Sequence, residues 1–156
     1  GYACIDYFGI NGPGDQLRDP AGNFYGKNRG VLIDIDTHRG ALESKTIPMR
    51  KIIDGTSKTM IVAEATGRAN DGVKLKGSWG SGDNTAEIDF PINFVENVDI
   101  ALRKKDEIYS DHNAGAHGLF CDGSVSFLSD DMELPVLLSI CTRNGREGLE
   151  GQARND

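Results

Sequence analysis

Asp111, His112, His117 and Asp122 fall within twelve consecutive residues, with Asn113 among them. Side chains of these types can do two kinds of chemistry. Asp111, His112, Asn113 and Asp122 could share a divalent cation. Their oxygen donors would suit calcium, and the imidazole would suit zinc or another transition metal. Their spacing matches no standard metal motif. His112 could alternatively act as the base of a metal-dependent hydrolase, but no Ser or Cys stands in a nucleophile-elbow context, and His with Asp alone does not make a triad. The third reading is structural, and the residue pattern favours it. Asp122 and Gly123 form a turn, and His112 hydrogen-bonds to backbone and locks its loop onto the hairpin.

Two further residues draw attention. Glu64 closes an apolar run, where a carboxylate needs hydrogen-bond donors, and Thr56 and Ser57 are the expected ones. A catalytic role for Glu64 is a lesser alternative. Trp79 is the only tryptophan and sits among small residues. It suits either a plug beneath a loop, the preferred reading, or a platform for a sugar ring.

These residues need elements to position them. Asp122-Gly123 favours a two-residue type I′ turn, in which both central residues take positive φ. That turn pairs Cys121 with Ser124, Phe120 with Val125, Gly118 with Phe127 and His117 with Leu128. Phe120, Val125 and Phe127 would then share a core face. Asp54-Gly55-Thr56-Ser57 is a second turn of the same kind. The run after it, Thr59 to Ala65, reads as a central strand covered on both faces. Alternation predicts strands over Asp6–Ile10, Gly30–Asp36, with Asp34 and Asp36 on a wet face, and Asn97–Leu102. Asn11-Gly12-Pro13-Gly14 and Asp19-Pro20-Ala21-Gly22 are turn clusters, with Phe24 and Tyr25 pinning the loop to the body. His38 and Arg39 belong to a polar surface loop. Pro135 to Gly145 reads as a helix with Pro at its start and Gly past its end. It sets Leu137, Ile140 and Cys141 toward the sheet and Arg143 in the last turn.

The chain has 156 residues, suited to one domain, with 146–156 as a flexible tail. Glycine supplies 20 residues against a hydrophobic share of 38%, which favours short strands and many loops. The fold class expected is α+β: an antiparallel sheet with a C-terminal hairpin and one C-terminal helix. A net charge of −7 without a basic run argues against nucleic acid or an anionic membrane as partner. The carboxylate surplus permits calcium but more simply keeps a surface soluble. No apolar window reaches membrane-spanning length. Cys4, Cys121 and Cys141 lack zinc-ligand spacing. Cys121 and Cys141 either pair, if the helix packs on the hairpin, or stay buried thiols.

Two stretches carry a resemblance to a family. Ile53-Asp54-Gly55-Thr56-Ser57-Lys58-Thr59 leads through apolar residues to Glu64, with Lys58 where the family has Asn. His112 stands nine residues before Asp122-Gly123-Ser124-Val125, followed by Phe127-Leu128-Ser129 and Thr142-Arg143-Asn144-Gly145. With Asp6-Tyr7-Phe8-Gly9, these resemble the prepilin-like proteins expanded in planctomycetes and related bacteria. The family's biochemical role is largely unassigned, and an older label links it to extracellular solute binding. The resemblance implies a pilin- or pseudopilin-like head, whose hydrophobic N-terminal helix would precede Gly1. It also implies an extracytoplasmic place, at the cell surface or in the periplasm. The function expected is non-enzymatic, in surface assembly, secretion or adhesion, with other pilin-like subunits or cell-surface components as partners. The alternatives are a binding module for a glycan or small solute, with Trp79 in its pocket, and the metal-dependent hydrolase.

Overall fold

The run Met60–Glu64 forms β2, the middle strand of a five-stranded sheet, as its apolar character predicts, but its two faces are not both covered: Ile61 and Val62 are only half-buried. The computed structural model describes residues 5–26, 29–33, 46–66, 79, 84–94 and 107–145. The remaining strands are β1 (Tyr7–Pro13), β3 (Thr85–Ile88), β4 (Gly115–Phe120) and β5 (Val125–Ser129), in the order β3-β1-β2-β4-β5. A single α-helix, α1 (Leu134–Cys141), follows. The fold class is α+β, as expected. The sheet is mixed rather than purely antiparallel, because β1 pairs parallel with β3.

One face of the sheet makes the core. Phe8 and Ile10 of β1, Met60 and Ala63 of β2, Ala116 and Phe120 of β4 and Leu128 of β5 are buried there with Leu137, Leu138 and Cys141 of α1. Each large side chain so buried contributes about 1.5–3 kcal/mol. Pro135 lies in the first turn of α1, as predicted. The helix ends at Cys141, however, so Arg143 lies beyond it. There the Arg143 guanidinium donates to the Gly30 carbonyl.

Face assignments depend on a bulge. β2 pairs Met60 with Phe120 but Val62 with Leu119, so Ile61 is an extra residue. Without it, alternation from Met60 would send Glu64 into the core. With it, Ala63 pairs with the buried Phe8, and Glu64 pairs with Tyr7 on the opposite, open face.

The C-terminal hairpin differs from expectation by one residue. The Phe120 N–H donates to the Ser124 carbonyl and the Gly123 N–H to the Phe120 carbonyl, leaving a three-residue loop, Cys121-Asp122-Gly123. Gly123 takes a φ of 88°, as a type I turn closed by a left-handed residue requires. His117 therefore pairs with Phe127, Leu119 with Val125 and Ala116 with Leu128. A slip of one residue exchanges the faces. Phe120 and Leu128 belong to the core, whereas Val125 and Phe127 lie exposed on the open face.

Other expectations are revised. Asn11-Gly12-Pro13 is the end of β1 rather than a turn, with a register shift between Ile10 and Gly12. Asp19 to Gly22 does turn, closed by the Gly22 N–H on the Asp19 carbonyl. Tyr25 is buried beside it, while Phe24 stays exposed beneath the Arg18 guanidinium. Residues 30–32 form a bend, and no strand is present over 30–33. Asp34, Asp36, His38, Arg39, Cys4, the predicted strand 97–102 and the tail 146–156 lie outside the described residues. Cys121 and Cys141 do not form a disulfide with each other. No helix among the described residues is long and apolar enough to cross a membrane.

The Asp54-Gly55 turn is tied to the chain after α1. Asp54 Oδ2 accepts from the Thr142 hydroxyl at 3.1 Å and from the Gly145 N–H at 2.7 Å. The Arg143 carbonyl accepts in return from the Ile53 N–H at 2.7 Å. Hydrogen bonds to an ionised group contribute about 1.5–3 kcal/mol. Asp54→Ala is therefore expected to lower the unfolding free energy by about 1.5–3 kcal/mol in urea titrations, and a loss within error would refute the clamp.

Candidate functional site

Glu64 ends β2 with only 7% of its side chain exposed, so its carboxylate depends on protein donors. These come from residues far along the chain. Tyr109 bridges to Ala65 in parallel, with its N–H on the Glu64 carbonyl, and this brings Ser110 alongside. The Ser110 hydroxyl hydrogen-bonds the Glu64 carboxylate. Ser110 is itself fixed by its N–H on Asn93 Oδ1 at 2.8 Å. The chain then turns through Asp111 to Ala114, where Ala114 adopts a φ of 66°, and enters β4. The His117 N–H donates to Glu64 Oε2 at 3.0 Å.

Both imidazoles close over the carboxylate. His117 Nδ1 lies 3.2 Å from Glu64 Oε2, and His112 Nε2 lies 3.4 Å from Oε1. The two rings meet edge to face at 4.9 Å, and His117 meets Phe127 in the same way at 5.1 Å. One donor atom each from Glu64, His112 and His117 lie within 4.8 Å of one another. This is the trio among the described residues that could hold a metal ion. It opens onto a depression of about 490 Å³, lined by Tyr7, Val62, His112, His117, Gly118, Leu119 and Val125.

The expected site is thus partly reassembled. His112 belongs to it, but its ring reaches the Glu64 carboxylate rather than backbone. Its own N–H rests on the Ser110 hydroxyl. Glu64 takes its donors from Ser110 and His117 rather than from Thr56 and Ser57. Asp122 is at the far end of β4, where Oδ1 accepts the Ser124 N–H at 2.9 Å and hydroxyl at 2.6 Å. These two bonds hold its carboxyl below the usual range. Asp122 with Gly123 makes the turn, as the structural reading has it, and takes no part in the trio. Asp111 and Asn113 are exposed in the loop beside His112. Asp54 and Gly55 form their own structural clamp. Trp79 is 71% exposed and so is not a plug. The residue that sequence reasoning left out of the metal set is His117, along with Glu64. The available signal was a histidine in a strand whose partner strand ends in a glutamate.

Burial pushes the Glu64 carboxyl up. The His117 N–H, the Ser110 hydroxyl, the His117 ring and the charge of His112 together outweigh this, so its pKa lies below the ordinary glutamate value. The Cys121 thiol is pushed up by burial and by the charge of Asp122, which leaves it a poor nucleophile.

Residues 8–134 match the model of the family described as "Protein of unknown function (DUF1559)", and the chain belongs to that family. The match runs from β1 to the first residue of α1 and so contains the whole trio. No curated protein and no solved structure matches the chain.

The depressed Glu64 pKa gives a signed pH dependence. Ionised Glu64 stabilises the fold above its unfolded-state pKa of about 4.3. That contribution is lost as pH falls through the lower folded-state value. The melting temperature is expected to fall more steeply below about pH 5 in the natural protein than in Glu64→Gln. Parallel melting curves across that range would contradict the assignment.

Proposed function

We propose that this chain is the globular head of an extracytoplasmic, pilin-like protein that acts without turnover in surface assembly, secretion or adhesion. Its partners are other pilin-like subunits. The observation that carries this reading is the open face of the sheet. Tyr7 (49%), Val125 (64%) and Phe127 (48%) are exposed there across β1 and β5, and β5 is an edge strand. Exposed apolar side chains gathered on one face mark a surface built to meet another protein. The two motifs shared with prepilin-like proteins support the same reading. The side-chain hydroxyl and thiol on either end of β4 also fit non-enzymatic action. The Ser110 hydroxyl is engaged with Glu64, and the Cys121 thiol is held in its protonated form, so neither stands as an activated nucleophile.

A second reading, a binding module for a small solute or glycan, is favoured by the open depression beside His112 and His117 and by the accessibility of Trp79. A thermal-shift screen of sugars and small solutes separates the two, since a ligand that binds only the folded state raises the melting temperature.

In cells carrying the full-length protein, Val125→Glu with Phe127→Glu is expected to abolish its recovery in crosslinked surface assemblies while the isolated head keeps its circular dichroism spectrum and a cooperative melting transition. Undiminished crosslinking would overturn the docking face. The head is also expected to show no turnover of generic ester, phosphate or glycoside substrates. Activity that disappears in His112→Ala would overturn the non-enzymatic assignment.

A further inference from the structure

We infer that Glu64, His112 and His117 form a binding site for a zinc-class divalent transition metal, a property separate from the docking role proposed above. Donor chemistry and the groups that orient the donors point the same way, and the spacing accommodates it.

The donor set is two imidazole nitrogens and one carboxylate. Calcium prefers oxygen ligands throughout, whereas two imidazoles with a carboxylate suit zinc and its transition-metal neighbours. The set that assembles in space is therefore not the oxygen-rich one that the 111–122 segment suggests, and it exchanges calcium for a transition metal.

The spacing accommodates coordination as well as an ion pair. A charge-assisted N–H···O contact settles at about 2.7–2.9 Å. The contacts in the trio are longer, at 3.2 Å for His117 Nδ1 and 3.4 Å for His112 Nε2. Tetrahedral zinc with bonds of about 2.0–2.2 Å sets neighbouring ligand atoms roughly 3.3 Å apart. The two nitrogen–oxygen separations are of that length, each to a different carboxylate oxygen, and one donor atom from each of the three residues lies within 4.8 Å of the others. The two carboxylate oxygens face one imidazole each, so an ion between the rings meets the carboxylate without a change of fold.

The donors are also held in place. Metal ligands work when other groups fix their orientation. The Ser110 hydroxyl and the His117 N–H hold the Glu64 carboxylate, and the Phe127 ring packs against the His117 imidazole. Three protein ligands would leave a fourth position, and both imidazoles line the depression that also takes in Tyr7 and Val62. That position is open to water or to an oxygen donor from a partner.

The test uses the purified chain, stripped with chelator and dialysed, then titrated with zinc chloride alone. Isothermal titration and elemental analysis after desalting are expected to give one zinc per chain, and calcium chloride is expected to give none. Cobalt(II) is expected to bind in its place with the intense visible bands of a four-coordinate site. His112→Ala is the main variant, because His112 is exposed and its loss leaves the core intact; it is expected to abolish stoichiometric binding with an unchanged circular dichroism spectrum. Ser110→Ala, which alters no ligand, is expected to weaken zinc by about 10–100-fold. No stoichiometric zinc on the natural chain, or full zinc binding by both His112→Ala and Glu64→Gln, would overturn the proposal. These readouts do not depend on surface assembly, so each result leaves the docking reading to its own test.

Discussion

A carboxylate taken out of water at the end of a central strand must be given donors, and this need at Glu64 organises the open half of the molecule. Its partners arrive from Ser110, His112 and His117, about fifty residues later in the chain. Meeting that need fixes the path of the 108–114 segment, the start of β4 and the pose of both imidazoles. The same contacts favour the ionised form against the cost of burial. A structural requirement thereby produces a cluster with the composition of a metal site.

Two single-residue irregularities decide which side chains meet. The extra Ile61 in β2 brings Glu64 to the open face, and the three-residue loop after Phe120 sets His117 opposite Phe127. Bulges commonly re-aim a side chain next to a functional position. In this sheet they separate a sealed face beneath α1 from an open face that carries both apolar and ligating groups. The proposed docking surface and the trio share that open face.

The Asp54 clamp provides the frame behind it. Asp54 joins the turn before β2 to Thr142 and Gly145 after α1, so the two ends of the core are bound together through one carboxylate. The hairpin loop is drawn into the same region, because the Asp122 N–H donates to the Thr56 carbonyl and the Cys121 N–H to the Thr59 carbonyl. The two sequence motifs, Asp54-Gly55-Thr56 on one side and Asp122-Gly123 on the other, thus lie along one seam of hydrogen bonds. Their role at that seam is to hold turns together.

The amino-acid order by itself determined the α+β class, β2 as a central strand, the helix that starts near Pro135, the hairpin around Asp122-Gly123 and membership of a family of unknown function. Those features follow from local patterns: an apolar run, a terminal proline, a turn pair and motif spacing. Asp122 was legible as a turn residue for the same reason. The trio was not legible, because Glu64 and His117 are 53 positions apart and nothing local marks their pairing. The hairpin register was also out of reach, since Asp-Gly fits a two-residue loop and a three-residue loop equally well. The choice between them falls to packing, with Phe120 and Leu128 seeking the core and Val125 and Phe127 left outside it. Tertiary structure alone decided the faces, because one inserted residue reverses every side chain after it, and only the assembled sheet shows where the insertion lies.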